Sequence, residues 1–173
     1  MKRAIPKRVE ALYQHEHWAK ARALILRELK KNPEDHWYLT RLSGTYYEDR
    51  KYQKALEVSD KAVKLAPGCP LVLWDRAGIL EMTGRYSRAM AIWSRLLKRG
   101  VNSVAYGPCG EGMRWARSLL NDCRYRIGNS YRKRGKARQA RAFYRAYMKF
   151  RSSGVPSIYG LRDVKKQLSE LSL

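Results

Sequence analysis

Arg126, Asn129 and Lys133 recur three and four residues apart. On a helix that spacing puts all three in one stripe, with Tyr125 and Arg132 beside it. Such a group is a receptor for anions, because the guanidinium fork meets carboxylate and phosphate oxygens in pairs. Trp37, Tyr47 and Trp74 add aromatic area that anchors peptide side chains or stacks unpaired bases, at roughly 1–3 kcal/mol each. A third group is the turn Gly107-Pro-Cys-Gly-Glu-Gly112. Free backbone N–H groups at Gly110 and Gly112, with Arg114 and Arg117 just inside the following helix, would hold an anion. No Gly-Lys-Ser/Thr follows to make it a nucleotide loop.

Catalytic and metal chemistry find no comparable grouping. His15 and His17 are two apart and diverge on a helix, His36 begins a later segment, and no second His or Cys stands three or four residues from any of them. Cys69, Cys109 and Cys123 form no Cys-x-x-Cys, and so sparse and odd a count suits a reducing, cytoplasmic setting. The sequence therefore predicts no enzyme, no metal and no cofactor.

Charge points to the partner. Thirty-seven Lys and Arg stand against fifteen Asp and Glu, a formal net charge of +22. Residues 113–151 hold thirteen of the cations and one acid, Asp122. One-signed surfaces repel themselves unless an anion is near, so the expected partner is an acidic protein or peptide segment. The alternative is RNA or single-stranded nucleic acid, whose phosphates suit the same surface. Self-repulsion favours a monomer, and a homo-oligomer docking through residues 101–112 and the helix after them is the weaker arrangement. The basic first ten residues lack an apolar core and no run approaches eighteen apolar residues, so neither a Sec signal nor a membrane span is expected.

These side chains need a scaffold, and 173 residues with 45% apolar content and only six prolines allow one folded domain or one elongated array. Ala21, Ala55 and Ala89 lie 34 residues apart, each three after an aromatic, Trp18, Tyr52 and Tyr86. Pro33 and Pro67 share the period and close amphipathic runs. Residues 37–49 and 52–65 carry apolar groups three and four apart around an Arg50-Lys51 break, which is a helix–turn–helix unit.

These units resemble the tetratricopeptide repeat family. Leu39, Leu42, Tyr46, Tyr52, Ala55, Ala62 and Pro67 match its signature. So do Leu73, Ala77, Leu80, Gly84, Tyr86, Ala89, Trp93 and Leu97, and again Ile127, Gly128, Tyr131, Gly135, Ala140, Tyr144 and Tyr147. A first copy keeps Leu12, Trp18, Ala21, Ile25 and Pro33 but has Arg8 and Glu28 where the family buries Leu and Ala. The resemblance implies one all-α domain, a right-handed α-solenoid of about four repeats (5–33, 36–67, 70–101 and 113–151). Residues 101–112 are then an inserted loop. A capping helix at 156–172 would turn Ile158, Leu161, Val164 and Leu168 inward.

The insertion makes the helix from Met113 about 20 residues long, so it should project beyond its neighbours. Trp18, Tyr52, Tyr86 and Trp93 read as core. Arg76 and Arg124 occupy places where the family buries large apolar groups, their stems covering core and their heads reaching water. The resemblance further implies that Trp37, Tyr47, Trp74, Tyr125, Arg126, Asn129, Arg132 and Lys133 line one concave groove of an interaction adaptor. Asn129 matches the asparagine with which some members clamp a peptide's terminal carboxylate, while Tyr125 stands in place of the clamp lysine.

Overall fold

The computed structural model describes residues 4–171, and among them every regular element is helical. The helices are α1 (Ala4–Gln14), α2 (Trp18–Leu29), α3 (His36–Glu48), α4 (Tyr52–Leu65), α5 (Pro70–Met82), α6 (Tyr86–Tyr106), α7 (Met113–Lys133), α8 (Ala137–Ser152) and α9 (Leu161–Glu170). The fold class is the expected all-α solenoid of helical hairpins. It packs as two compact units that divide after Gly84, in the turn inside the third expected repeat.

Local chemistry explains where helices begin. The Asp35 carboxylate accepts from the amides of Trp37 and Tyr38 at 2.9 and 3.1 Å, and Pro70 opens α5, where an N–H would have no intrahelical partner. The turns share one backbone device. Glu16, Arg50 and Gly84, 34 residues apart, take positive φ of 56°, 59° and 76°, and Gly135 repeats it at 69°. Each is followed two residues later by a new helix. Ala21, Ala55, Ala89 and Ala140 are fully enclosed, so helices approach where the side chain is a single methyl.

In the first unit, α1 to α5 enclose Val9, Ile25, Leu39, Leu42 and Val72. Tyr13 meets Trp18 edge-on at 5.0 Å, and Tyr47 meets Tyr52 in the same way at 5.6 Å. The residue at the same place before Tyr86 is Glu81. Tyr86, expected in the core, is 40% exposed, whereas Trp93 is sealed.

The second unit departs further from the expected loop and cap. Residues 101–106 are helical rather than loop, with Val104 and Ala105 buried, and only 107–112 form the loop. A break at Gly100 (φ 75°, ψ 163°) lets α6 bend and continue. Its extension runs beside α7 and packs against it, so α7 does not project alone. The cap is shorter than 156–172: α9 spans Leu161–Glu170, preceded by a non-helical strap at 155–160, and residue 172 lies outside the described residues. Val164 is sealed, with Leu161 and Leu168 against the same cluster, but Ile158 belongs to the strap and is 72% exposed.

At Gly128 α7 lies close against α8. A Cβ there would lie 2.9 Å from two ring carbons of Tyr144 and 3.3 Å from Cβ of Phe143. Tyr144 is itself sealed and has no room to yield. Gly128→Val is expected to lower stability by about 1–3 kcal/mol through overpacking. Urea unfolding of the two proteins measures this, and equal midpoints would mean that the helices separate at no cost.

Candidate functional site

The arginine stripe on α7 is in part covered by the chain itself. Tyr125 stacks on Tyr159 of the strap, ring centroids 3.9 Å apart and planes 22° from parallel, with Tyr144 and Tyr147 within 6.0 Å. Arg126 donates from Nε to the Tyr159 hydroxyl and lies over the Trp93 and Tyr159 rings at 6.0 and 5.4 Å.

The strap is fastened from below. The Tyr147 hydroxyl donates to the Tyr159 carbonyl at 2.8 Å, and Ser157 Oγ donates to the Asp122 carboxylate while accepting the Tyr159 amide at 3.0 Å. Burial raises Asp122 to about 6, against the opposing pull of Ser157, the Ile158 amide, Arg126 and Arg151. Burial likewise pushes the Tyr159 phenol up. Tyr125 and Arg126, expected to line the concave groove, face this strap.

Asn129, Arg132 and Lys133 continue the stripe beyond the strap. Arg132 donates to Asn129 Oδ1 at 3.2 Å, and Lys133 is exposed. In the first unit Trp37, Tyr47 and Trp74 are each half-buried. Trp37 meets Tyr38 edge-on and carries the Arg41 guanidinium 5.2 Å from its ring; Tyr47 packs on Tyr52.

The expected anion site at the glycine turn is not formed. The Gly110 amide donates to the Gly107 carbonyl at 2.9 Å and the Gly112 amide to the Ala105 carbonyl at 3.1 Å, so the turn uses both donors to close itself. Arg114 and Arg117 are exposed on the first turns of α7.

The acids available to the cations are unevenly placed along the chain. In the first unit, Arg22 pairs with Asp49 at 2.5 Å, Arg41 with Glu10 at 2.6 Å and Arg76 with Asp60 at 2.6 Å. In the second, the one acid between residues 113 and 151 is Asp122, already engaged beneath the strap. Sequence reasoning missed the strap residues Ser157 and Tyr159. It also missed Phe150, whose ring carries Arg124 at 4.1 Å.

Models of the tetratricopeptide repeat match residues 7–70, 41–102 and 122–149, more than half of the chain. The chain belongs to the tetratricopeptide repeat family. Tetratricopeptide repeat proteins generally mediate protein–protein interaction. Solved structures share the fold. A crystal structure of MamA is 16% identical, with 95% of this chain and 92% of that one covered and a TM-score of 0.59. Another MamA structure is 17% identical over 83% and 73%, with a TM-score of 0.56. The kinesin-light-chain-type TPR-like repeats of Podosopora anserina are 12% identical over 98% and 84%, at 0.67. No curated protein sequence matches the chain. No helix among the described residues is long and apolar enough to cross a membrane.

Proposed function

We propose that this tetratricopeptide repeat protein is an adaptor that binds an acidic segment of another protein through its basic C-terminal repeat. The observation that carries this reading is the one-signed charge of residues 113–151, where thirteen cations face a single, engaged acid. Guanidinium and ammonium groups of one sign steer and orient an anionic chain, and they make its affinity fall with salt. The family's habit of binding proteins favours a polypeptide over RNA.

Fluorescence anisotropy tests it with two labelled probes, a twelve-residue peptide rich in Asp and Glu and a twelve-nucleotide single-stranded RNA. The peptide is expected to bind and to weaken with added salt. An RNA that binds more tightly than any acidic peptide, with a salt slope of about 0.7 per phosphate contact, would replace this reading by nucleic-acid binding.

A further inference from the structure

A second face of α7, turned away from the Asn129–Lys133 stripe, borders a cleft of about 500 Å³ inside the second unit. Arg117, Leu120 and Arg124 line it from α7, Leu97, Gly100 and Val101 from α6, Phe150 from the end of α8 and Val155 from the start of the strap. The insertion creates this corner. With 21 residues α7 is about 31 Å long, while α8 has 16 and is about 24 Å, so α8 stops short of the first turns of α7. The break at Gly100 turns the extension of α6 alongside them.

Arg124 is the informative residue. Its guanidinium rests on Phe150 and is half-buried, and burial depresses its pKa. Arg76, charged at a different apolar place of its repeat, is answered by acid: its guanidinium meets Asp60 from α4 and the Leu56 carbonyl. For Arg124 the preceding helix, α6, presents Leu97 and Val101 instead. The carbonyls at the end of α8 are also taken, since Ser153 and Val155 donate their amides to Lys149 and Phe150, and Gly154 donates to Arg151. Among the described residues no carboxylate reaches Arg124.

We infer that this cleft binds a short acidic segment carrying a large apolar side chain, with Arg124 and Arg117 holding its carboxylates and Phe150, Leu120, Leu97 and Val101 receiving the apolar group. Charge complementarity selects the occupant, because the lining offers two guanidinium groups, an aromatic floor and no acid. Seven residues separate the arginines, about 10.5 Å along the helix, so they bracket two carboxylates on either side of one apolar residue. RNA would supply the anions but no aliphatic group for the floor. The inference shares with the proposed function its premise of an acidic partner and rests on that premise, but the surface is a different one.

The test measures anisotropy of labelled acetyl-Glu-Asp-Leu-Phe-Asp-Glu-amide on the full chain. Against wild type stand a cleft variant, Arg117→Gln with Arg124→Gln, and a stripe variant, Arg132→Gln with Lys133→Gln. A third variant, Val101→Glu, keeps both arginines and gives them a carboxylate from within. The cleft variant and Val101→Glu are each expected to weaken binding about tenfold or more, and so is replacing Leu-Phe in the peptide by Ser-Ser. If the peptide binds and only the stripe variant weakens it, the cleft is overturned while the adaptor reading stands. Equal affinity for the Ser-Ser peptide also overturns the cleft. If no acidic peptide binds wild type, both fall.

Discussion

Tyr159→Ala is expected to lower stability by about 2–4 kcal/mol, the range for losing a large aromatic, reduced because Tyr159 is only half-buried. The ring closes the aromatic end of the second unit, stacked on Tyr125 at 3.9 Å and holding the Arg126 guanidinium. Without it Tyr125 is uncovered, and the Ser157 contact with Asp122 loses its neighbour in the strap. Tyr159→Phe separates the two contributions: it keeps the stack and removes the acceptor for Arg126, for an expected loss of about 1 kcal/mol. Urea denaturation of the three proteins gives the comparison. A Tyr159→Ala protein within about 0.5 kcal/mol of wild type would show that the strap does not hold this end in solution. The Ala variant also uncovers Tyr125 and Arg126, and with them the rest of the expected basic stripe.

The scaffold was more legible than the surface. A 34-residue period in Ala21, Ala55 and Ala89 identifies the positions that are fully enclosed, because close helix approach tolerates only a small residue whatever the partner. Helix 101–106 was hidden for a local reason. Gly100 and the glycine- and proline-rich residues 107–112 flank it, and a six-residue helix between breakers has too few turns for a period to emerge. The strap was hidden for a distant one. Tyr159 meets Arg126 across 33 residues of sequence, and no periodicity joins an irregular segment to a helix face. Tyr125 therefore read as a groove aromatic.

Register did single out Arg76 and Arg124 as charged residues at apolar places. It could not say that Asp60 answers one and that only Phe150 lies under the other. That difference depends on which side chains the preceding helix offers, and it is where a binding surface departs from a repeated scaffold. The same holds for Arg41, whose partners Glu10 and Trp37 come from different helices.

Asp75 carries the second large expected effect, a fall in the stability of the first unit as pH rises from 5 to 8. Its carboxylate accepts from Ser43 Oγ at 2.9 Å, and burial raises its pKa to about 7 despite that bond and the nearby Arg41 and Arg76. Both arginines are held by other acids, Arg41 by Glu10 and Arg76 by Asp60, so neither compensates Asp75 fully. In the unfolded chain the group titrates near 4. Between about pH 4 and 7 the folded state thus binds the proton more tightly, and stability declines across that window before levelling off above it.

The amplitude is roughly 2–4 kcal/mol, the lower figure allowing for the part of the residue that water reaches. Acids held down by cations, Glu28 beside Lys31 and Asp49 beside Arg22, act in the opposite sense and lose their contribution only at lower pH. Asp122, at about 6, adds a decline of the same sign in the second unit. Asp75→Asn preserves an acceptor for Ser43 and removes the proton. It is expected to flatten the dependence between pH 5 and 7.5 and to be more stable than wild type at pH 8. Urea midpoints at half-unit intervals decide the matter: a wild-type protein as stable at pH 8 as at pH 5.5 would mean that Asp75 is ionised throughout, with water or one of the arginines reaching its carboxylate.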